Sequence, residues 1–298
     1  MTICKFQHDA VEPVEQPPSH NPLRDEIADD GLYIARQNNL WDEPHPADKP
    51  QVLYCKFVND HPDASYDARI KALVEKWAKE WEQYAFIQFV FVGKAEAAHI
   101  RIEFARPAND GEAWSNFGSD SVDASSQSEK HKMMLSLDPS MHFGDFSPDP
   151  TEMPEDVSDD QIPLGIDCAR TTVLHEFGHA LGLRHEHASP KASFVLSARK
   201  RRDSQYEKVT GSPGDKINVS DFDVWSIMRY PLEEQDVDWN KSRGTMNDDE
   251  FAKFKRDLQT RPLRLSDGDK VWAMAAYPGR IHPELEAAKA RWVGTIEG

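Results

Sequence analysis

The chain carries His175-Glu176-Phe177-Gly178-His179-Ala180-Leu181-Gly182-Leu183-Arg184-His185-Glu186-His187, and the spacing within this stretch decides the reading of the rest. At about 100° per residue, helix positions i and i+4 lie about 40° apart. His175 and His179 therefore face the same way, one turn apart, and can bind one ion between them. Glu176 follows His175 directly, so its carboxylate flanks such an ion without ligating it. That is the place of a general base acting on metal-bound water. Gly182 can adopt a positive φ, end the helix and turn the chain sharply, which returns His185 as a third ligand. Three imidazoles leave the fourth position of a zinc ion open to water, as in catalytic zinc sites. The full pattern H-E-x-x-H-x-x-G-x-x-H fixes five residues over eleven positions, and chance supplies it far less often than H-E-x-x-H alone. Glu176 also speaks against a non-catalytic zinc domain, because zinc binding does not need it.

At 298 residues the chain has room for one large domain or two small ones. A hydrophobic content of 39% is enough for a proper core, and a mean hydropathy of −0.69 is that of a soluble protein. The formal net charge of −17 argues against a nucleic-acid partner, because neutralising phosphates takes a basic surface. It argues equally against an anionic membrane surface. Solubility is the plainest use of so acidic a surface, and attraction of cationic peptides is the functional alternative. Cys4, Cys55 and Cys168 are too sparse for a disulfide framework, and a Cys55–Cys168 bridge is left open. The first residues lack the apolar stretch of a secretory leader, and no run is long and apolar enough to span a membrane. A cytoplasmic location or a non-classical export is the expectation from these features.

Residues 1–50 are rich in proline and acid, as in Val11-Glu12-Pro13-Val14-Glu15-Gln16-Pro17-Pro18. They read as an extended arm with little structure of its own. An inhibitory pro-segment, with Cys4 or an aspartate over the metal, is the functional alternative. Residues 52–58 predict a strand. Residues 66–84 predict an amphipathic helix, with Ile70, Leu73, Val74, Trp77 and Trp81 recurring at helical spacing. Strands are predicted at 86–92, 99–104 and 132–137. Residues 111–118 are short and glycine-bounded, an edge-strand candidate that could hold an extended substrate by backbone pairing. Residues 138–165 read as a solvated acidic loop, since they contain no D-x-D-x-D-G calcium loop. The metal-binding helix is expected from an N-cap at Asp167 to about Leu181, with Cys168 as a core thiol. His187 reads as a loop histidine, and Arg199-Lys200-Arg201-Arg202 as a solvated basic face. Residues 232–262 show no clear element. A last helix follows Ser266 and stops before Pro278. A strand, a helix and further strands ahead of the metal helix make the class α+β.

The metal-binding stretch, taken with Ser226-Ile227-Met228-Arg229-Tyr230, resembles the metzincin superfamily of zinc endopeptidases, and the astacin-like proteases most closely. His185 is followed directly by Glu186, and the downstream motif has the astacin form S-I-M-x-Y. Leu265-Ser266-Asp267-Gly268-Asp269-Lys270 is similar to a segment of bacterial and fungal relatives of astacins. Ala188-Ser189-Pro190 stands where the core family carries arginine and aspartate, so the chain is an outlying relative. The resemblance implies an N-terminal twisted five-stranded mixed sheet with a backing helix and the zinc helix, then a mostly irregular C-terminal subdomain with one helix. It implies a catalytic domain over 51–280, divided into 51–182 and 183–280, between the arm 1–50 and a tail 281–298. It further implies one catalytic zinc ion on His175, His179 and His185, with Glu176 as the base. Met228 would form an apolar floor under the histidines in a tight Met-turn. Tyr230 would place a phenol near the ion that stabilises the oxyanion, and Glu186 would pair with a processed N-terminus. The astacins proper are secreted, which points to export.

The reading is therefore a monomeric zinc-dependent endopeptidase acting on protein or peptide substrates, with no nucleic-acid or membrane partner. Its alternatives are a zinc-containing protein-binding module and a latent protease held by its N-terminal arm.

Overall fold

The computed structural model describes residues 35–36, 40–41, 46, 48–105, 113–121, 133–137, 164–189, 191–202, 206, 217–218 and 221–285. The arm before residue 35, Cys4, the acidic loop 138–163 and the tail after 285 lie outside the described residues.

A short ladder joins β1 (Ala35–Arg36) to β7 (Ile217–Asn218) in antiparallel fashion. The main sheet holds β2 (Gln51–Phe57), β3 (Ile87–Phe91), β4 (Ile100–Phe104), β5 (Trp114–Ser115) and β6 (Met133–Leu135), in the order β3-β2-β4-β6-β5. β2 pairs in parallel with β3 and β4, and β4 with β6. β5 runs antiparallel to β6 and forms an edge. The mixed five-stranded sheet is thus as expected, and its edge strand Trp114–Ser115 falls within the expected edge segment. Period-two alternation sets the two faces: Leu53, Cys55 and Phe57 turn inward from β2, and Ile100, Ile102 and Phe104 from β4.

Helix α1 (Asp67–Ala78) buries Ile70, Leu73, Val74 and Trp77 at 3–4 spacing. It ends six residues before the predicted limit at Tyr84, and a 3-10 turn, Trp81–Gln83, follows. The break lets Trp81 turn fully inward, where its Nε1 donates to Leu174 O at 3.1 Å. Leu174 belongs to α2 (Leu164–Leu181), which packs against α1, β5 and β6. From Thr171 to Leu181 every residue of α2 is buried, so this helix is central to the molecule. It starts three residues earlier than expected. Asp167 lies in its first turn and pairs with Arg264, Nη1 to Oδ1 at 2.7 Å, instead of capping it.

The second part of the chain holds α3 (Trp239–Ser242), α4 (Asp248–Gln259) and α5 (Asp267–Ala276). The single helix implied by the resemblance is α5, and the short α3 and the longer α4 are additions. The capping box of α4 is complete: Asn247 accepts from the Glu250 amide, and Glu250 accepts from the Asn247 amide. Its apolar stripe is narrow, with Leu258 buried and Phe251 and Phe254 half-buried among charged residues. So little apolar signal explains why residues 232–262 show no period.

Cys55 is buried and Cys168 half-buried, and both are free thiols, so the open question of a bridge closes against it. Among the described residues no helix is long and apolar enough to cross a membrane.

The end of the expected arm belongs to the fold. Leu40 and Trp41 are buried in the main core. Trp41 Nε1 donates to Ala180 O at 2.7 Å, and Tyr277 Oη donates to Leu181 O at 2.7 Å. Two side chains from opposite ends of the sequence thus satisfy carbonyls in the last turn of α2, which have no partner within the helix. Trp41→Ala should lower the unfolding free energy by about 3–5 kcal/mol, the usual cost of deleting a buried aromatic ring. Urea unfolding measures this, and a loss below about 1 kcal/mol would show that the anchor is dispensable.

Candidate metal centre

Helix α2 stops because Gly182 adopts φ 113°, a region that only glycine enters cheaply. The Gly182 amide donates to His179 O at 2.8 Å and the Leu183 amide to Gly178 O at 3.0 Å, a Schellman-type closure. The turn also presents Leu183 O to His179 Nδ1 at 2.7 Å, while His175 Nδ1 meets Ile227 O at 2.8 Å. A carbonyl oxygen only accepts, so each Nδ1 carries the proton and each Nε2 keeps its lone pair for a metal. His185 Nε2 lies 3.1 Å from His179 Nε2 and 3.2 Å from His175 Nε2. A tetrahedral cation bound at about 2.0–2.1 Å sets its nitrogen ligands about 3.3 Å apart. The predicted triad is therefore together, with the spacing that such an ion requires.

Burial holds all three rings neutral. It pushes His175 down to about 4, against a hydrogen bond to Ile227 that raises it. Burial, followed by the charge of neighbouring imidazoles, pushes His179 and His185 well below the usual range. A neutral imidazole is the form that binds a metal.

Glu176 is fully buried on α2, next to His175. Met228 is buried too. A side chain at Gly178 would collide with Met228 Sδ and come within 3.2 Å of Trp81. The Met-turn thus presses directly on the helix between the first two histidines. The Tyr230 ring lies 4.5 Å from that of His185 and 5.4 Å from that of His175. Phe117, just past β5, stands edge-on to His179 at 5.1 Å, with the Arg184 guanidinium 4.4 Å above it.

A family model described as matrixin matches residues 47–209, more than half of the chain. A second, described as astacin, matches residues 155–277. The chain belongs to the matrixin family of metzincin zinc peptidases. Both matches span the histidine triad, and the astacin match continues through the Met-turn and α5. The structure of myroilysin is similar at 20% identity, with a TM-score of 0.55 over 83% of this chain and 99% of that one. This is a likeness of fold. The zinc-protease hatching enzyme high choriolytic enzyme 1 of the medaka fish, Oryzias latipes, is similar at 14% identity, with a TM-score of 0.46 over 82% of this chain and 96% of that one. No curated protein matches the sequence.

The site also draws on residues to which the sequence assigns other roles. His187, expected as a loop histidine, is fully buried. Its ring stacks on His185 at 4.7 Å and lies tilted against Tyr206 at 4.5 Å. A further histidine in H-E-H was the available signal, but only the tight 3-10 turn Glu186–Ala188 aims it inward. Glu186 Oε1 accepts from the Asp223 amide at 2.9 Å, so this carboxylate braces the segment leading into the Met-turn.

Asp269 carries the turn itself. Its Oδ1 accepts from Ser226 Oγ at 2.7 Å, and its Oδ2 from the Ile227 amide at 2.8 Å and the Ser266 amide at 2.9 Å. Ser266 caps α5 as expected, and Asp269 completes a capping box with it; the role of Asp269 in holding Ile227 appears only in three dimensions. Ser266 Oγ also donates to Asp223 Oδ2 at 2.6 Å. Burial, and then the nearby Asp223 charge, push Asp269 up to about 7.

A carboxyl raised on folding binds its proton in the native state where the unfolded chain has released it. Between about pH 4 and 7 the native state therefore holds more protons, and this group's contribution to stability falls as pH rises. In the metal-free protein the three buried histidines, with their pKa values pushed down, contribute the opposite slope, so Asp269→Asn should make stability rise more steeply with pH across this window than in wild type. Urea unfolding at several pH values measures the difference, and parallel slopes would refute the assignment.

Proposed function

We propose that one zinc ion sits on His175, His179 and His185 and that Glu176 activates water for peptide-bond hydrolysis. The convergence of three Nε2 atoms at 3.1–3.2 Å carries this reading. Zinc bound there supplies Lewis acidity toward water and the scissile carbonyl. Glu176, one residue from the first ligand, accepts the water proton and passes it to the leaving amine. Its full burial strengthens its interaction with charge in the cleft. Tyr230, with its ring against His175 and His185, donates to the developing oxyanion. β5 is an edge, and an extended substrate backbone can pair with it. Protein or peptide chains are the substrates.

Glu176→Ala should retain zinc by metal analysis and lose roughly 10²–10⁴-fold in kcat/KM on casein or a fluorogenic peptide. Cleavage at the wild-type rate would refute the general-base role. Chelation should abolish wild-type activity and added zinc should restore it. Tyr230→Phe should lower kcat by roughly 10²-fold while KM changes little, the pattern of a lost oxyanion donor. An unchanged kcat would remove Tyr230 from the scheme.

A further inference from the structure

Arg229 is the charged residue in the middle of the Met-turn sequence, and it is 2% exposed. Its donors are spent on main-chain carbonyls. Nε donates to Val224 O at 2.6 Å. Nη1 donates to Tyr230 O at 2.8 Å and Leu258 O at 2.7 Å. Nη2 donates to Asp257 O at 3.1 Å and Thr260 O at 2.5 Å. Asp257, Leu258 and Thr260 end helix α4, where the last carbonyls need donors and the helix dipole favours a cation. Only the planar, forked guanidinium can serve so many acceptors from one point. Burial pushes its pKa down to about 10, against the charges of Asp223, Asp257 and Glu186, so the fork stays charged at pH 7.

The other main-chain group of Tyr230 is held as well. Its amide donates to His187 Nδ1 at 3.2 Å. The His187 ring lies 4.7 Å from the Tyr230 ring and 4.7 Å from the His185 ring. Both polar backbone atoms of Tyr230 are thus gripped by buried side chains. One of these side chains stacks on a metal ligand, and the other caps a helix whose residues 248–256 are all exposed or half-buried.

We propose that Arg229 and His187 are positioning residues for Tyr230: they clamp its amide and carbonyl, so the C-terminus of α4 and the His185 turn together fix the phenol beside the metal site. This rests on the catalytic role given to Tyr230 above. A displacement of about 1 Å in a catalytic group can cost on the order of 10²-fold in rate, so the clamp acts through kcat. A purely structural role would lower stability without depending on which side chain stands at 230.

Two double-mutant cycles separate these cases. The enzymes are wild type, R229K, H187L, Y230F, R229K/Y230F and H187L/Y230F, each zinc-loaded and assayed on one fluorogenic peptide. Metal content and thermal unfolding are measured alongside. Lysine keeps the charge but loses the fork, and leucine removes the ring acceptor. Each of R229K and H187L should lower kcat about tenfold in the wild-type background, with KM within about twofold. In the Y230F background each should change kcat by less than about twofold, because the phenol being positioned is gone. Losses that multiply in the double variants, or single variants with wild-type kcat, overturn the proposal. Y230F with wild-type kcat instead overturns the role of Tyr230 on which it rests. The two cycles are independent, so if R229K does not fold, H187L decides.

Discussion

Three uncharged imidazoles packed nitrogen to nitrogen at 3.1–3.2 Å hold together only if something else fixes each ring. The second nitrogen does this for two of them, and each time the acceptor is a backbone carbonyl from a turn: Ile227 O for His175 and Leu183 O for His179. Those turns are therefore under tight constraint. The turn at Leu183 exists because Gly182 tolerates φ 113°. The turn at Ile227 exists because Asp269, from α5, binds Ser226 and Ile227. A carboxylate on the last helix thus fixes a ring on the central helix through one residue, Ile227, whose amide meets the carboxylate and whose carbonyl meets the ring. Burying that carboxylate raises its pKa, a cost in folding free energy that the turn requires.

The central helix is held with equal care. From Thr171 onward it is buried on every side, so its axial position cannot relax toward solvent. Trp81, Trp41 and Tyr277 all bond to its carbonyls. Gly178 allows Met228 to press where a larger residue would push the turn away. The apolar contacts place the helix, and these few polar bonds fix its register against the Met-turn, because a hydrogen bond constrains distance and angle where packing alone permits sliding.

The second part of the molecule has little regular structure, yet it controls the site through side chains that reach backbone atoms. Glu186, Arg229 and Asp269 each bond to main-chain groups at or beside residues 223–230. An irregular turn has no ladder of its own to satisfy its polar groups, so buried charged side chains stand in for one.

The sequence by itself determined the chemistry and the class of fold. The 3.6-residue period alone puts His175 and His179 on one face with Glu176 beside them, and period-two alternation marks the strands. These are local rules, and a local pattern is fully present in the chain. The end of α1 at Ala78, the start of α2 before Asp167 and the presence of α4 were not legible. Each depends on a contact distant in sequence: Trp81 on Leu174, Asp167 on Arg264, and the capping of α4 by Arg229. Trp41 reads as part of an arm, because its partners Ala180 and Tyr277 lie far along the chain. His187 reads as a loop residue until the fold buries it against His185. What only the tertiary structure decided is which groups meet to hold the motif, because the bonds that orient a metal ligand join residues with no fixed spacing between them.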